Sequence, residues 1–221
     1  QPSSSLWREH RTGRVTASKM FDVVKKVADD NTIIGETKSL TATIMGYYEE
    51  ADTLALNWGR FNEEKARKMY VSRTKSKHKF FKATATGIWI CPDYPMISAS
   101  PDGLIECKCC GYGLLEIKCP YSLRRSTITA IAQRKSNGLY QENGKIKLHK
   151  EHQYFYQMQT QMISTGRNYC DFCMFTVSDK DNFFCTRVSL DPETKVKICN
   201  KAPVFWENVI IPEIKSRSVY N

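Results

Sequence analysis

The sequence predicts a mixed α/β (α+β) fold in which a central mixed β-sheet is flanked by helices. Apolar residues recur at helical spacing near both ends of the chain, whereas short extended segments fill its middle. Turns that contain glycine, proline or asparagine separate those segments. A chain of 221 residues can bury one substantial core. We therefore expect one domain over residues 1–221 and, because residue 1 is glutamine, a domain cut from a longer polypeptide.

Four helices are expected before the first strand. They cover residues 6–11, 20–27, 40–50 and 58–71. From Met20 onward, apolar residues recur at the spacing of one helix face, and Thr16 or Ser18 is the expected N-cap. Asn57 is the expected N-cap of the fourth helix.

A basic extended segment is expected after the fourth helix. Arg73, Lys75, Lys77 and Lys79 alternate with small or polar residues, so in a strand the four cations would share one face. Such a face suits an edge strand that is protected against aggregation, and it equally suits a ribbon that follows DNA phosphates. The sequence favours neither interpretation.

Strands and helices then alternate toward the C-terminus. Strands are expected at residues 83–90, 96–100, 104–108, 113–119, 169–177 and 183–190. Helices are expected at residues 126–135, 149–164 and 192–214. The Gly111-Tyr112-Gly113 segment is the expected turn of a hairpin, and Asn143-Gly144 marks a loop.

The chain is basic, with a formal net charge of +10 and a pI near 9.1. A long-range positive potential concentrates polyanions, of which nucleic acid is the natural candidate. Basic charge alone does not establish that partner, because many unrelated proteins share it. No apolar run approaches the roughly 20 residues that span a bilayer, so we expect a soluble protein with no membrane partner.

Nine cysteines do not suggest a disulfide framework, because the number is odd and the spacing irregular. We expect an intracellular, reducing compartment, either nucleus or cytoplasm for a eukaryotic or viral source. Cys170 and Cys173 would point to opposite faces of one strand, which disfavours a shared zinc ion. Cys107, Cys109 and Cys110 would need a ligand from outside their turn. Reduced thiols are therefore the favoured interpretation of both groups.

Two segments suggest a catalytic site. They are Ser100-Pro101-Asp102-Gly103 and, on the predicted neighbouring strand, Glu116-Ile117-Lys118. Strand alternation places Glu116 and Lys118 on one side and Ile117 in the apolar layer. Carboxylates that converge repel one another unless a cation lies between them, and oxygen ligands suit Mg²⁺ or Mn²⁺. Lys118 could orient or deprotonate a water molecule, since a nearby cation lowers the pKa of an amine. Taken singly, Asp102 could cap a turn and Glu116 could pair with Lys118 at the surface.

A polar stripe lies on the helix predicted at residues 149–164. Tyr154, Gln157 and Gln161 share one helix side. Amides facing an apolar core would be costly, so this side either meets solvent or serves a site. Trp7 and Trp58 are assigned to packing.

These residues resemble the PD-(D/E)xK nuclease signature in the form found in phage lambda exonuclease and the YqaJ-like viral recombinases. The matching segments are Ser100-Pro101-Asp102-Gly103 and Leu115-Glu116-Ile117-Lys118-Cys119-Pro120; Trp7, Arg11, Gly13 and Thr16-Ala17-Ser18; Asn57-Trp58-Gly59 with Glu63; and Gln157, Gln159 and Met162. Cys107-Lys108-Cys109-Cys110 and Tyr169-Cys170-Asp171-Phe172 are most similar to versions in animal genomes and mobile elements. The turn at residues 107–113 is longer than in the phage form, so the rim of the site is expected to differ.

The resemblance implies a restriction-endonuclease-like core and a magnesium-dependent exonuclease. It implies 5′-to-3′ degradation of one strand of linear double-stranded DNA, with release of 5′-mononucleotides and a 3′ single strand left for recombination or repair. Asp102, Glu116 and the Ile117 carbonyl would hold one Mg²⁺ ion and Glu63 a second, and Mn²⁺ would substitute. Lys118 would act on the attacking water, supported by Gln157.

The resemblance also implies a site for DNA ends. Arg11, Ser18 and Arg124 correspond to a pocket for the terminal 5′-phosphate, and Leu56 to a residue that separates the strands. A single-strand annealing protein is the partner that the family suggests, and a homotrimer is the assembly. An endonuclease on the same core, a catalytically inactive DNA-binding module and a zinc-stabilised interaction module are the alternatives.

Overall fold

The computed structural model describes residues 4–48, 52–134 and 138–220, and these residues form the expected mixed α/β fold. The helices are α1 (Ser5–Arg11), α2 (Met20–Lys25), α3 (Lys38–Met45), α4 (Leu54–Lys75), α5 (Ile128–Gln133), α6 (Gln153–Thr165), α7 (Pro192–Phe205) and α8 (Ile211–Ser216). The strands are β1 (Val15–Thr16), β2 (Lys82–Thr84), β3 (Trp89–Ile90), β4 (Ile97–Ala99), β5 (Gly103–Cys107), β6 (Gly111–Lys118), β7 (Leu139–Glu142), β8 (Lys145–Leu148), β9 (Tyr169–Phe175) and β10 (Phe183–Ser189). Among the described helices, none combines the length and apolar character that a membrane span requires.

The main sheet has five strands in the order β10-β9-β6-β5-β2. β6 pairs with β9 in parallel, and the other neighbours are antiparallel, so the sheet is mixed as predicted. β6 is the central strand, with covered neighbours on both sides. A smaller sheet in the order β1-β4-β3 lies near α1, and β7 and β8 form a separate hairpin.

Helices cover both faces of the main sheet. On one face, α6, α2 and α7 build the larger core together with Leu114 of β6. On the other face, Ala66 and Tyr70 of α4 pack with Leu115 and Ile117. Successive β6 residues therefore enter opposite cores, as strand alternation requires. Leu114 and Leu115 are both 0% exposed. Full burial of one leucine side chain contributes about 1.5–3 kcal/mol to the stability of the folded state.

The structure corrects the bounds of the fourth helix. The Thr53 hydroxyl accepts the Leu56 amide, so α4 begins at Leu54, and Asn57 lies inside the helix with its side-chain amide bonded to Asp52. α4 also continues to Lys75, and the segment predicted as a strand is therefore partly helical. No glycine or proline follows Gly59 until Gly87, and buried Tyr70 holds the last turns on the sheet.

Two further local predictions were wrong. Neither Thr16 nor Ser18 caps α2; their hydroxyls lie 3.1 Å apart, and a 3-10 turn, Ala17–Lys19, precedes the helix. The β5–β6 turn is formed by residues 108–110 rather than by Gly111-Tyr112-Gly113. Gly111 leaves that turn with a φ of 74°, which glycine adopts without strain.

The remaining differences concern the lengths of elements and a few short strands, among them β1, that were not predicted. The strand predicted at 83–90 is two short strands, and the terminal helix is interrupted by a π-helical segment, Trp206–Ile210. Asn143-Gly144 forms the turn of a hairpin whose strands the sequence analysis did not predict; both residues have positive φ, 49° and 75°, as a type I′ turn demands. Residues 49–50 of the third predicted helix and residue 135 of the fifth lie outside the described residues.

Gly113 is expected to be essential for packing in β6. A Cβ atom there would lie 2.1 Å from the Tyr169 ring, so Gly113→Ala should destabilise the protein by about 1–3 kcal/mol in urea denaturation. Gly59→Ala is the control, because nothing lies within 4 Å of its Cβ position and alanine favours a helix by about 0.5–1 kcal/mol. Unchanged stability of Gly113→Ala would contradict this packing.

Candidate active site

Asp102 lies immediately before β5, at the end of the main sheet. Its Oδ2 atom accepts the Ile117 amide of β6 at 2.6 Å, which ties the Ser100–Gly103 loop to the strand that carries the second motif. Asp102 as a whole residue is half-buried, and its carboxyl group points into the protein. The two halves of the sequence motif are therefore in direct contact.

The Glu116 carboxylate is buried in the centre of the molecule, with 1% of its surface exposed. Lys118 Nζ and Gln157 Nε2 each donate to Oε1 at 2.6 Å, and Gln161 Nε2 donates to Oε2 at 2.6 Å. Gln157 Oε1 in turn accepts from Lys118 Nζ at 3.0 Å. A buried charge is tolerated only when it is paired and hydrogen-bonded in this way.

Local structure explains how these side chains meet. Strand alternation directs Glu116 and Lys118 toward α6, while Ile117 enters the core beneath α4. Gln157 and Gln161 are one helical turn apart, so both amides reach the same carboxylate. The polar stripe on this helix thus faces the motif rather than solvent.

Glu63 approaches the site from α4, on the opposite face of the sheet. Its carboxylate accepts from Arg67 Nη2 at 2.9 Å, and its charge contributes to the pKa shift of Asp102. Its neighbour Glu64 is 62% exposed, against 38% for Glu63, and bonds Arg67 and Lys68 on the outer side. The geometry therefore brings Glu63, and not Glu64, to the motif.

Excess negative charge marks this site. Burial, followed by the charges of Glu116 and Glu63, raises the pKa of Asp102 well above its usual value, although Lys118 and the Ile117 amide oppose the rise. Burial alone would lower the pKa of Lys118, but Glu116 and Asp102 outweigh it and raise that pKa. Without a cation, Lys118 is therefore an ammonium ion.

The donor set fits a hard divalent cation. Asp102, Glu116 and Glu63 offer carboxylate oxygens, and the Ile117 carbonyl belongs to the same strand end. The nearby thiol of Cys119 is not a competing ligand, because burial and the charges of Glu63 and Asp102 raise its pKa to about 12. Oxygen donors of this kind suit Mg²⁺ or Mn²⁺.

Arg11 lies beside the loop that carries Asp102. Trp7 Nε1 donates to Ser100 Oγ at 3.1 Å, and the Arg11 guanidinium lies 4.2 Å from the centre of the Trp7 ring. Trp7 thus packs α1 onto the motif, as its assignment to packing predicted. Ser18 is exposed, and its 3-10 turn packs against α6.

Arg124 and Leu56 lie on two neighbouring segments, the one after β6 and the first turn of α4. Arg124 follows the 3-10 turn after β6, donates to the Tyr121 carbonyl at 2.8 Å and stacks on the Tyr121 ring. Trp58, near the start of α4, contacts the same ring with centroids 5.9 Å apart. Leu56, in the first turn of α4, is 37% exposed. The start of α4 and the segment after β6 therefore adjoin.

The basic residues do not form the predicted strand face. Arg73 and Lys75 lie on α4, and Lys77 and Lys79 lie in the loop after it. A helix rises about 1.5 Å per residue, so Lys75 is about 18 Å along α4 from Glu63. Both interpretations that required a strand lose their basis, because the helix continues through the first half of the segment.

Comparison with known proteins identifies the family. A model of the YqaJ-like viral recombinase domain matches residues 6–168. The chain belongs to the YqaJ-like viral recombinase family. No curated protein matches the chain significantly by sequence.

Solved structures agree with this family and with the fold. The alkaline exonuclease LHK-Exo from Laribacter hongkongensis is 26% identical, with a TM-score of 0.69, covering 97% of this chain and 98% of that one. LHK-Exo in complex with dAMP is 27% identical, with a TM-score of 0.69 and coverage of 98% and 100%. A KSHV SOX RNA complex is 13% identical, with a TM-score of 0.63 and coverage of 97% and 73%, which is a likeness of fold alone. The predicted family and fold are confirmed.

Sequence reasoning missed two members of the site. Gln161 is completely buried and bonds Glu116, although only its place on the polar stripe was noted. Arg67 bonds Glu63 from one turn further along α4, and its Nη1 atom is buried without a partner in the described residues. The i, i+4 spacings of Gln157 with Gln161 and of Glu63 with Arg67 were the available signals.

Asp102→Asn is expected to stabilise the metal-free protein at neutral and alkaline pH. A carboxyl whose pKa is raised on folding binds its proton more tightly in the native state, so stability falls as the pH rises above about 4 toward the raised pKa. Removing the charge should therefore raise the Tm at pH 8 above that of the parent and leave the Tm at pH 4 nearly unchanged.

Thermal unfolding in a chelator at pH 4 and pH 8 measures this effect. Asp179→Asn is the control, because Asp179 is exposed and should give no change at either pH. A lower Tm for Asp102→Asn at pH 8 would show that the charge of Asp102 is compensated within the protein.

Proposed function

We propose that this chain is a divalent-metal-dependent deoxyribonuclease that degrades one strand of linear duplex DNA from its 5′ end. It would release 5′-mononucleotides and leave a 3′ single strand for recombination or repair. The supporting observation is one hydrogen-bonded cluster in which Lys118, Gln157 and Gln161 hold the Glu116 carboxylate, with Asp102 bonded to the adjacent residue. Membership of the family and likeness to an alkaline exonuclease support a nuclease.

The carboxylates are proposed as metal ligands. Asp102, Glu116 and the Ile117 carbonyl would hold one Mg²⁺ ion, and Glu63 would help to hold a second. The bound metal supplies Lewis-acid activation of the scissile phosphate and lowers the pKa of a water ligand. Gln161 keeps one Glu116 oxygen fixed, and Arg67 orients Glu63.

Lys118 is proposed to act on the attacking water. The negative charges of Glu116 and Asp102 raise its pKa, so in this state it is an ammonium ion that donates hydrogen bonds to Glu116 and Gln157. A metal cation bound to the carboxylates would offset their negative charge. The pKa of Lys118 would then fall, which would make the lysine a better base. Gln157 fixes the position of the lysine in either state, because its carbonyl accepts from Nζ.

DNA is the proposed substrate, and its ends are the proposed site of attack. The net charge of +10 suits a polyanion, and among the structural relatives LHK-Exo was captured with dAMP and KSHV SOX with RNA. The proposed 5′-to-3′ direction of degradation rests on the family resemblance. By the same resemblance, Arg11, Ser18 and Arg124 are proposed to bind the 5′-phosphate, and Leu56 is proposed to separate the strands. The homotrimer and the annealing partner stay predictions of that resemblance.

Lys118→Ala is expected to reduce magnesium-dependent nucleotide release by roughly 10²–10⁴-fold, the usual contribution of a positioned acid or base. The assay follows acid-soluble nucleotides from linear duplex DNA carrying a 5′-phosphate, with and without Mg²⁺. Lys195→Ala, at an exposed position of α7, is the matched control and should behave like the parent.

Four outcomes would argue against this proposal. Release that persists in Lys118→Ala would remove the lysine from the mechanism, and release without a divalent ion would remove the metal. Cleavage of closed circular DNA would indicate the endonuclease alternative. DNA binding with no release by the parent would indicate a DNA-binding relative without catalysis.

Arg124→Ala is expected to abolish the preference for 5′-phosphorylated over 5′-hydroxyl ends, with at least a tenfold rise in KM on phosphorylated DNA and a smaller change in kcat. A charged hydrogen bond to phosphate is worth about 1.5–3 kcal/mol, which corresponds to that factor. Arg125→Ala is the matched control, because Arg125 is the adjacent and more exposed arginine. Equal KM changes in the two variants would show general charge attraction rather than an end-binding pocket.

A further inference from the structure

Three thiols and one imidazole converge at the tip of the β5–β6 hairpin, far from the carboxylates. The thiol–histidine cluster consists of His78, Cys107, Cys109 and Cys110, whose ligand atoms all lie within 4.8 Å of one another. Cys107 is buried, His78 is half-buried, and Cys109 and Cys110 are exposed. The proposed function uses none of these residues.

The spacing of the donor atoms matches the edges of a zinc tetrahedron. Zn–S bonds of 2.3 Å and Zn–N bonds of 2.0–2.1 Å place sulfurs about 3.8 Å apart and sulfur and nitrogen about 3.6 Å apart. Here the Cys109 sulfur lies 3.4 Å from that of Cys107 and 3.9 Å from that of Cys110. His78 Nδ1 lies 3.1, 3.5 and 3.5 Å from the sulfurs of Cys109, Cys107 and Cys110.

We propose that the thiol–histidine cluster binds one structural Zn²⁺ ion. Three sulfurs and one imidazole form a complete tetrahedral set with no position left for water or substrate, which is the property of structural rather than catalytic zinc sites. Soft thiolate ligands exclude Mg²⁺ and Ca²⁺.

The fold supplies the ligand that the sequence lacked. The three cysteines need a fourth ligand from outside their turn, and His78, in the loop between α4 and β2, provides it. β2 pairs with β5, which returns that loop to the strand that ends at Cys107. The Lys108 amide also donates to the Lys79 carbonyl at 2.9 Å, so the backbone joins the two loops directly.

The surroundings of the cluster stabilise thiolate sulfur. The Cys110 amide donates to Cys107 Sγ at 3.3 Å. The Lys79 backbone hydrogen-bonds the Cys109 thiol, and the Arg187 side chain bonds Cys110. Three thiolates and one Zn²⁺ ion carry a net charge of −1, which nearby lysines offset. Those lysines are exposed Lys75, Lys77, Lys79 and Lys108.

A zinc ion here would join the loop after α4 to the central hairpin. Without it, that loop is held by the short β2 strand and the Lys79–Lys108 hydrogen bond. Glu63 lies in the middle of α4, about 18 Å along the helix from Lys75 at its end, so the ion would stabilise the end of the helix without contacting the proposed active site.

Zinc analysis of the full chain, purified without chelators, tests this proposal. We expect one zinc per chain in the parent, in Asp102→Asn and in Cys199→Ser, and at least a tenfold loss in Cys109→Ser and His78→Ala. Cys199 is a half-buried cysteine of α7 and therefore a matched thiol control. Zinc removal should lower the Tm by about 5–10 °C, as expected for loss of a ligand bound about 100-fold above its Kd or more.

A second measurement uses the parent protein alone, so it does not depend on whether the variants fold. Cys109 and Cys110 are exposed, so a thiol reagent should label them at once in zinc-free protein and slowly after zinc is restored. Protein that neither contains zinc nor gains thiol protection with added zinc would overturn the proposal. Zinc that is lost in Asp102→Asn but kept in Cys109→Ser would also overturn it, as would stoichiometric iron at the cluster.

Discussion

The buried carboxylate of Glu116 is the constraint on which the arrangement of the molecule depends. An ion placed in the interior costs several kcal/mol unless partners compensate for it, and this one lies on the central strand of the sheet. Lys118 on the same strand and two glutamines of α6 meet its oxygens. Because all three bonds must form together, they fix both the rotation and the position of α6 on the sheet.

α6 consequently presents three different sides. Gln157 and Gln161 hold the carboxylate, while Met158 and Met162 are completely buried in the larger core. Gln159 accepts the Asp191 amide at 2.8 Å and donates to the Ser189 carbonyl at 3.0 Å, which anchors the link from β10 to α7. One helix therefore joins the candidate site to the packing of the C-terminal part of the chain.

α4 plays the corresponding role on the other face. Tyr70 donates to Asp171 at 2.7 Å, and Arg187 donates to the same carboxylate from β10, so a second buried charge fixes α4 against β9. This attachment carries Glu63 to the strand end where Asp102 lies. Periodicity could predict which side of a strand or helix Glu116, Lys118 and Gln157 occupy, but it could not predict that α4 continues to Lys75, since alternating cations fit helix and strand alike.

The sequence by itself determined the order of the longer helices and strands, the hairpin that pairs Asp102 with Glu116, and the family to which the chain belongs. These features depend on the spacing of residues along a short segment, which the covalent chain fixes. The tertiary structure decided that Glu63 rather than Glu64 faces Asp102, that Gln161 bonds Glu116, and that His78 completes the cysteine cluster. Each of these contacts joins residues from different elements, and only the packing of helices on a particular sheet order brings such residues within bonding distance.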